Sequence, residues 1–110
     1  YGTVTGVQTC ALPICGFEAV DYDCHNWETI RVPAHWQMEG YGVPQYTNII
    51  YPWDGHEAVK PGQIPQKDNP TGSYVKYFVL PAGWENACIS FKGAESAMAV
   101  WLNGHYVGYS

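Results

Sequence analysis

The chain reads as an all-β protein of antiparallel sheets joined by long proline-rich loops, and three observations carry that reading. Leu- and Ala-rich helical runs are nearly absent, while five Trp and nine Tyr raise the share of residues that suit a pleated, half-buried surface. Alternation in twos runs through the last third of the chain, from Ser73 onward. Asn103-Gly104 stands between two apolar-rich runs, the strongest short hairpin signal, because both central residues of a type I′ turn need φ > 0.

Residues 1–15 are set apart from the rest. The run from Val4 to Ile14 has no usable period and resembles the translation of a sequencing adapter; the alternative is a genuine but poorly patterned strand, and both stay open. From Phe17 the character changes. Asp21-Tyr22-Asp23 with His25-Asn26-Trp27 predicts a turn, and Thr29 to Pro33 a short strand ended by proline. His35 to Gly42 allows at most one helical turn before its two glycines stop it, and Val43 to Trp53 predicts a β-rich edge segment with proline near both ends.

Asp54 to Lys67 holds two prolines, two glycines and no alternation, which predicts a long surface loop of the kind that carries binding residues on a β scaffold. It delivers the chain to Asp68-Asn69-Pro70-Thr71-Gly72-Ser73-Tyr74, a polar turn at a sheet edge. Asn tolerates αL geometry, Pro70 fixes φ, and Gly72 is expected to supply any positive φ. Three strands are then predicted: Ser73 to Leu80, Cys88 to Lys92 and Ala97 to Leu102, the last turning at Asn103-Gly104 into Tyr106 to Tyr109. Strict alternation would put Met98, Val100 and Leu102 on one face and Ala97, Ala99 and Trp101 on the other.

A net charge of −5 with only five Lys plus Arg leaves no basic stripe for phosphates, so nucleic acid is excluded as a partner. No run approaches the roughly eighteen apolar residues of a membrane span, and no membrane partner is expected. Cys10, Cys15, Cys24 and Cys88 match neither a zinc ribbon nor a redox pair and read as thiols without a structural task. His25, His35, His56 and His105 are dispersed without ligand-like spacing, so no metal ligand is assigned, and no pair of acidic residues shows a catalytic motif.

Three blocks together carry a resemblance: Val32 to Met38 with Gly40 to Asn48, Pro65 to Tyr74, and Gly93 to Tyr109. From about Trp27 to Ser110 the chain resembles the N-terminal sugar-binding domain of bacterial β-galactosidases in glycoside hydrolase family two. The resemblance implies a jelly-roll β-sandwich of two antiparallel sheets, with residues 16–110 forming only the first, incomplete part of it. It implies a parent that is a retaining glycosidase, whose two catalytic carboxyl groups lie about 5 Å apart in a separate β/α barrel. It assigns one substrate-binding residue here, Asn69, reaching from this domain towards the galactose. The Mg and Na common in the family have their ligands elsewhere. The partners implied are a β-galactoside substrate, the remaining domains of the parent, and other copies of it in a homo-oligomer.

Two other readings compete: a stand-alone carbohydrate-binding module using exposed Tyr and Trp, and a sister enzyme such as a β-glucuronidase or β-mannosidase. The Asn-Pro-Thr-Gly turn at Asn69 to Gly72 disfavours the sister enzyme. The sequence stops at Ser110 directly after a strand, leaving an uncovered apolar hairpin, so a fragment is expected. The isolated polypeptide is accordingly expected to be marginal or insoluble; a soluble monomer with a cooperative thermal transition would contradict this.

Overall fold

A computed structural model describes residues 16–45 and 48–110 in full and residues 2–10 by their backbone. The described residues form an all-β, antiparallel protein of five strands and one 3-10 turn, with no α-helix among them. The strands are β1 (Gly2–Cys10), β2 (Glu28–Val32), β3 (Thr71–Tyr74), β4 (Ala99–Leu102) and β5 (His105–Tyr109); the turn is Trp36–Glu39. They divide between two compact units, Tyr1–Ile14 with Asp23–Lys76, and Cys15–Tyr22 with Tyr77–Ser110.

The first unit carries a three-stranded sheet of order β2-β1-β3. β2 pairs with the first half of β1, from Gly2↔Val32 to Val7↔Glu28, with a register shift between Thr5 and Val7. β3 pairs with the second half, from Val7↔Tyr74 to Cys10↔Thr71. Ile30 at the centre of β2 is 3% exposed and is the only buried apolar side chain among the described residues. Ahead of β2 the predicted turn forms: Trp27 N–H donates to Cys24 O at 3.0 Å. The Asp23 carboxylate accepts from the His25 N–H at 3.0 Å and meets its ring at 2.5 Å, which holds the Asp23 carboxyl below its usual range.

After β2 the chain makes the single helical turn expected of it. Gly40, at φ 96°, sits in the left-handed region that favours glycine and closes the turn. The Tyr41 N–H then returns to Trp36 O at 3.0 Å. Two side-chain links tie this turn back to β2, Arg31 to Glu39 at 3.3 Å and Tyr41 Oη donating to Glu28 Oε2 at 2.6 Å. That bond to a carboxylate raises the Tyr41 phenol above its ordinary pKa.

Three expected strands are corrected. The described residues of Val43 to Trp53 form bends and turns; Tyr46 and Thr47 lie outside the description. The Tyr51 N–H donates to Asp54 Oδ2 at 3.0 Å and its carbonyl accepts from Asp54 N–H, so these groups serve a turn and not a ladder. The strand expected over Ser73 to Leu80 begins earlier and ends at Tyr74, where the ladder with β1 stops at Val7, next to the register shift on the β2 side. Cys88 to Lys92 forms no strand. In both segments the β-favouring side chains are present but no paired edge receives them: Tyr77, Phe78, Val79, Leu80, Ile89 and Phe91 are all exposed.

The second unit holds the hairpin β4-β5. Asn103 (φ 50°) and Gly104 (φ 79°) both take the positive φ that the type I′ turn needs. Met98 and Ser110 exchange both backbone bonds at 2.8 and 2.9 Å, closing the open end. The ladder shifts register between Val100↔Gly108 and Trp101↔Tyr106, leaving Val107 as the extra residue of a bulge. Strict alternation therefore fails: Val100 and Trp101 are both half-buried, whereas Leu102 is exposed. Trp101 meets Phe17 and Tyr106 edge to face, with centroids 5.7 and 5.5 Å apart.

A Cβ on Gly104 would enter the left-handed region and lie 3.2 Å from Val20 Cγ2. Gly104→Ala is expected to cost the hairpin about 1–2 kcal/mol. Gly104→Asn should cost less, since Asn adopts that region more readily. Amide exchange of the β4-β5 ladder in the parent gene product measures both, and equal protection in all three proteins would refute the turn assignment.

Candidate functional site

The candidate site is the end of the long loop, where Asn69 precedes β3. Among the described residues the loop is ordered by polar contacts running from side chain to backbone. Its first turn is anchored by His56 N–H and Glu57 N–H, both donating to Trp53 O at 3.0 Å. A second turn is closed by Gln63 N–H to Lys60 O at 2.9 Å and by Lys60 N–H to Gln63 Oε1 at 3.2 Å.

The two arms of the loop are then joined. Glu57 Oε2 accepts the backbone N–H groups of Gln66 and Lys67, each at 2.8 Å, and His56 Nδ1 lies 2.7 Å from Asp68 Oδ2. Hydrogen bonds to an ionised acceptor are among the stronger ones, about 1.5–3 kcal/mol each. Asp68 takes φ 50°, an uncommon value for a residue with a side chain. Asn69, half-buried, donates from Nδ2 to Pro65 O at 3.2 Å, and its Oδ1 accepts from no described residue.

Beyond Asn69 the chain runs under an aromatic lid. Trp36 and Tyr74 lie parallel, with an interplanar angle of 3° and centroids 6.3 Å apart. Burial raises the Tyr74 phenol above its ordinary pKa. Gly72 lies directly beneath Trp36: a Cβ there would collide with the six-membered ring of the indole and come within 2.9 Å of Tyr74 Cε2. The expected role of Gly72 is thereby corrected. The positive φ of this stretch falls at Asp68 and Gly72 is not among the positive-φ glycines; it is needed for close approach, because the ring occupies the space of a side chain. Next to it, Ser73 is 2% exposed and its Oγ has no hydrogen-bond partner among the described residues.

The structure places Asn69 half-buried at the loop's end, directly ahead of Pro70 and β3. Sequence reading missed His56 and Glu57, whose contacts reach 9 to 12 residues along the chain. Of the other candidates, Cys24 and Cys88 are thiols, whereas the Cys10 and Cys15 side chains lie outside the described residues. No three His, Cys, Asp or Glu side chains converge among the described residues. Nor is any helix among them long and apolar enough to cross a membrane.

Gly72→Ala is expected to destabilise this corner by about 1–3 kcal/mol through overpacking. In a Trp36→Ala background the same substitution should be nearly neutral, since the ring it strikes is gone. Urea unfolding of the four proteins of this cycle, made in the parent gene product, measures the coupling; additive effects would mean that the ring does not rest on Gly72.

Known proteins agree with the blocks that flank this loop. The chain is 54% identical over 96 residues to a β-galactosidase of Halalkalibacterium halodurans, a stretch covering 86% of this chain and 10% of that protein. It is 47% identical over 96 residues to a β-galactosidase of Priestia megaterium, covering 86% of this chain and 9% of that one. A β-galactosidase of Clostridium acetobutylicum is 41% identical over 105 residues, 94% of this chain and 12% of its own length. The chain thus spans about a tenth of the length of the curated relatives it matches. The family model for the sugar binding domain of glycosyl hydrolases family 2 matches residues 10–110, taking in the loop, the site and both later strands, and the chain belongs to that family.

Proposed function

We propose that the chain is part of a jelly-roll sugar-binding domain of a retaining β-galactosidase, and that Asn69 contributes a contact to the galactose held in that enzyme's active site. The observation that carries this reading is the 54% identity to a β-galactosidase across 86% of the chain. The antiparallel sheets are compatible with a jelly roll, whose two layers would need strands beyond the five described here.

The contribution of these residues is binding and orientation. The acid and the nucleophile of a retaining mechanism, about 5 Å apart, belong to other parts of the enzyme. An amide suits the task assigned to Asn69, since it offers both a donor and an acceptor. With Nδ2 held by Pro65 O, the acceptor Oδ1 is the atom turned to account, receiving a hydrogen bond from a sugar hydroxyl. A site built around such a bond rejects analogues that lack the hydroxyl. The partners in this reading are a β-galactoside, the remaining domains and further copies of the enzyme.

A stand-alone carbohydrate-binding module has one feature in its favour: Tyr51 and Trp53 stack at 4.9 Å with Tyr51 64% exposed, a surface on which a sugar ring could lie. Asn69→Ala in the full-length enzyme is expected to lower kcat/KM for β-galactosides about ten- to a hundredfold, the equivalent of one to two hydrogen bonds. Unchanged kinetics would remove Asn69 from the site. Calorimetric binding of galactosides by the 110-residue chain itself would favour the module instead.

A further inference from the structure

We propose that His56 and Glu57 are positioning residues, two consecutive side chains that clasp residues 66–68 and thereby aim the Asn69 amide at the sugar; this rests on the reading of Asn69 given above.

The clasp accounts for three residues in succession, and Pro65 O holds the fourth. Gln66 and Lys67 are held through their backbone N–H groups, which converge on the single oxygen Glu57 Oε2. Asp68 is held through its carboxylate by His56 Nδ1, and Asn69 through its amide by Pro65 O. Two adjacent N–H groups meeting one acceptor orient both peptide planes, in the manner of a backbone nest around an anion. With the next residue fixed at φ 50°, the direction in which the chain enters Asn69 follows from that orientation.

The holder is itself held. The N–H groups of His56 and Glu57 both donate to Trp53 O, so the clasp is anchored at its base as well as at its tip. Apolar packing does not do this work: Ile64, in the middle of the loop, is 71% exposed. Glu57 is half-buried and holds two backbone N–H groups, whereas the His56 side chain is 63% exposed, holds one carboxylate and is the weaker of the two. Glu57 is therefore the principal positioning residue. Among the described residues its γ-carboxylate hydrogen-bonds to backbone N–H groups only, so in this reading its effect on sugar binding passes through Asn69.

The test is a double-mutant cycle in the full-length enzyme, read as kcat and KM separately. Glu57→Ala is expected to lower kcat/KM about threefold to tenfold with the same division between kcat and KM as Asn69→Ala, and to add little in the Asn69→Ala background. Glu57→Gln, which keeps an acceptor oxygen, should restore most of the loss, and His56→Ala should reproduce the Glu57→Ala pattern more weakly. Amide exchange at Gln66 and Lys67 should rise in Glu57→Ala and not in Asn69→Ala. An additive double mutant, or Glu57→Ala kinetics equal to those of the parent enzyme, overturns the clasp while leaving Asn69 in the site. An Asn69→Ala enzyme with unaltered kinetics overturns the reading on which the clasp rests, and the clasp with it.

Discussion

The Trp36 indole lying against the backbone at Gly72 is the contact on which the first unit depends. It joins two stretches far apart in sequence, the single helical turn after β2 and the start of β3. It works only because position 72 has no side chain. The ring continues over Tyr74, so one aromatic residue covers alternate residues of β3 on the same face. Since β3 pairs with β1, and β1 with β2, fixing β3 under Trp36 also fixes where the long loop must end. The loop has no sheet bonds of its own and takes its place from that end and from its internal polar contacts.

The elements most legible in the sequence were those governed by local backbone chemistry. Asn103-Gly104 demands a type I′ turn whatever surrounds it, and Gly40 stops a helical turn by adopting a conformation that costs other residues more. Strands depend on a partner, and their failure is instructive. Val75 to Leu80 has strong β propensity, yet propensity measures fit to a paired, half-buried surface, and the ladder with β1 ends at Tyr74. The bulge at Val107 was equally hidden, because a one-residue shift leaves the composition unaltered while exchanging the faces of everything beyond it. Gly72 shows a subtler limit: a glycine in a turn-like sequence suggested positive φ, whereas its reason is a ring contributed from a position 36 residues earlier.

The candidate site divides in the same way. Asn69 was legible through resemblance and because an Asn-Pro-Thr-Gly turn ahead of a strand has recognisable chemistry. Glu57 and His56 were not, because side-chain bonds to backbone amides or a carboxylate nine to twelve residues away impose no period and no spacing rule. Such contacts become visible only when both arms of the loop are placed. The absence of alternation marked the region as a long loop without identifying the residues that order it.

In the role proposed for Asn69, these polar contacts matter because they order it before any ligand arrives. A free asparagine at a loop tip would have to give up rotamer and backbone freedom on binding, and that ordering is subtracted from the affinity of each new hydrogen bond. Here the backbone before it is held by Glu57, the neighbouring side chain by His56, and the amide nitrogen by Pro65 O. The nitrogen bond also settles which way the amide faces, leaving the acceptor Oδ1 and the second N–H of Nδ2 each in a defined direction. Substituting Asp would replace the donor with a charged oxygen facing a carbonyl and undo that orientation, even though an acceptor remained. An amide held by its donor end presents one acceptor in one direction, which is what a site needs if it is to recognise the orientation of a hydroxyl on a sugar ring and not merely its presence.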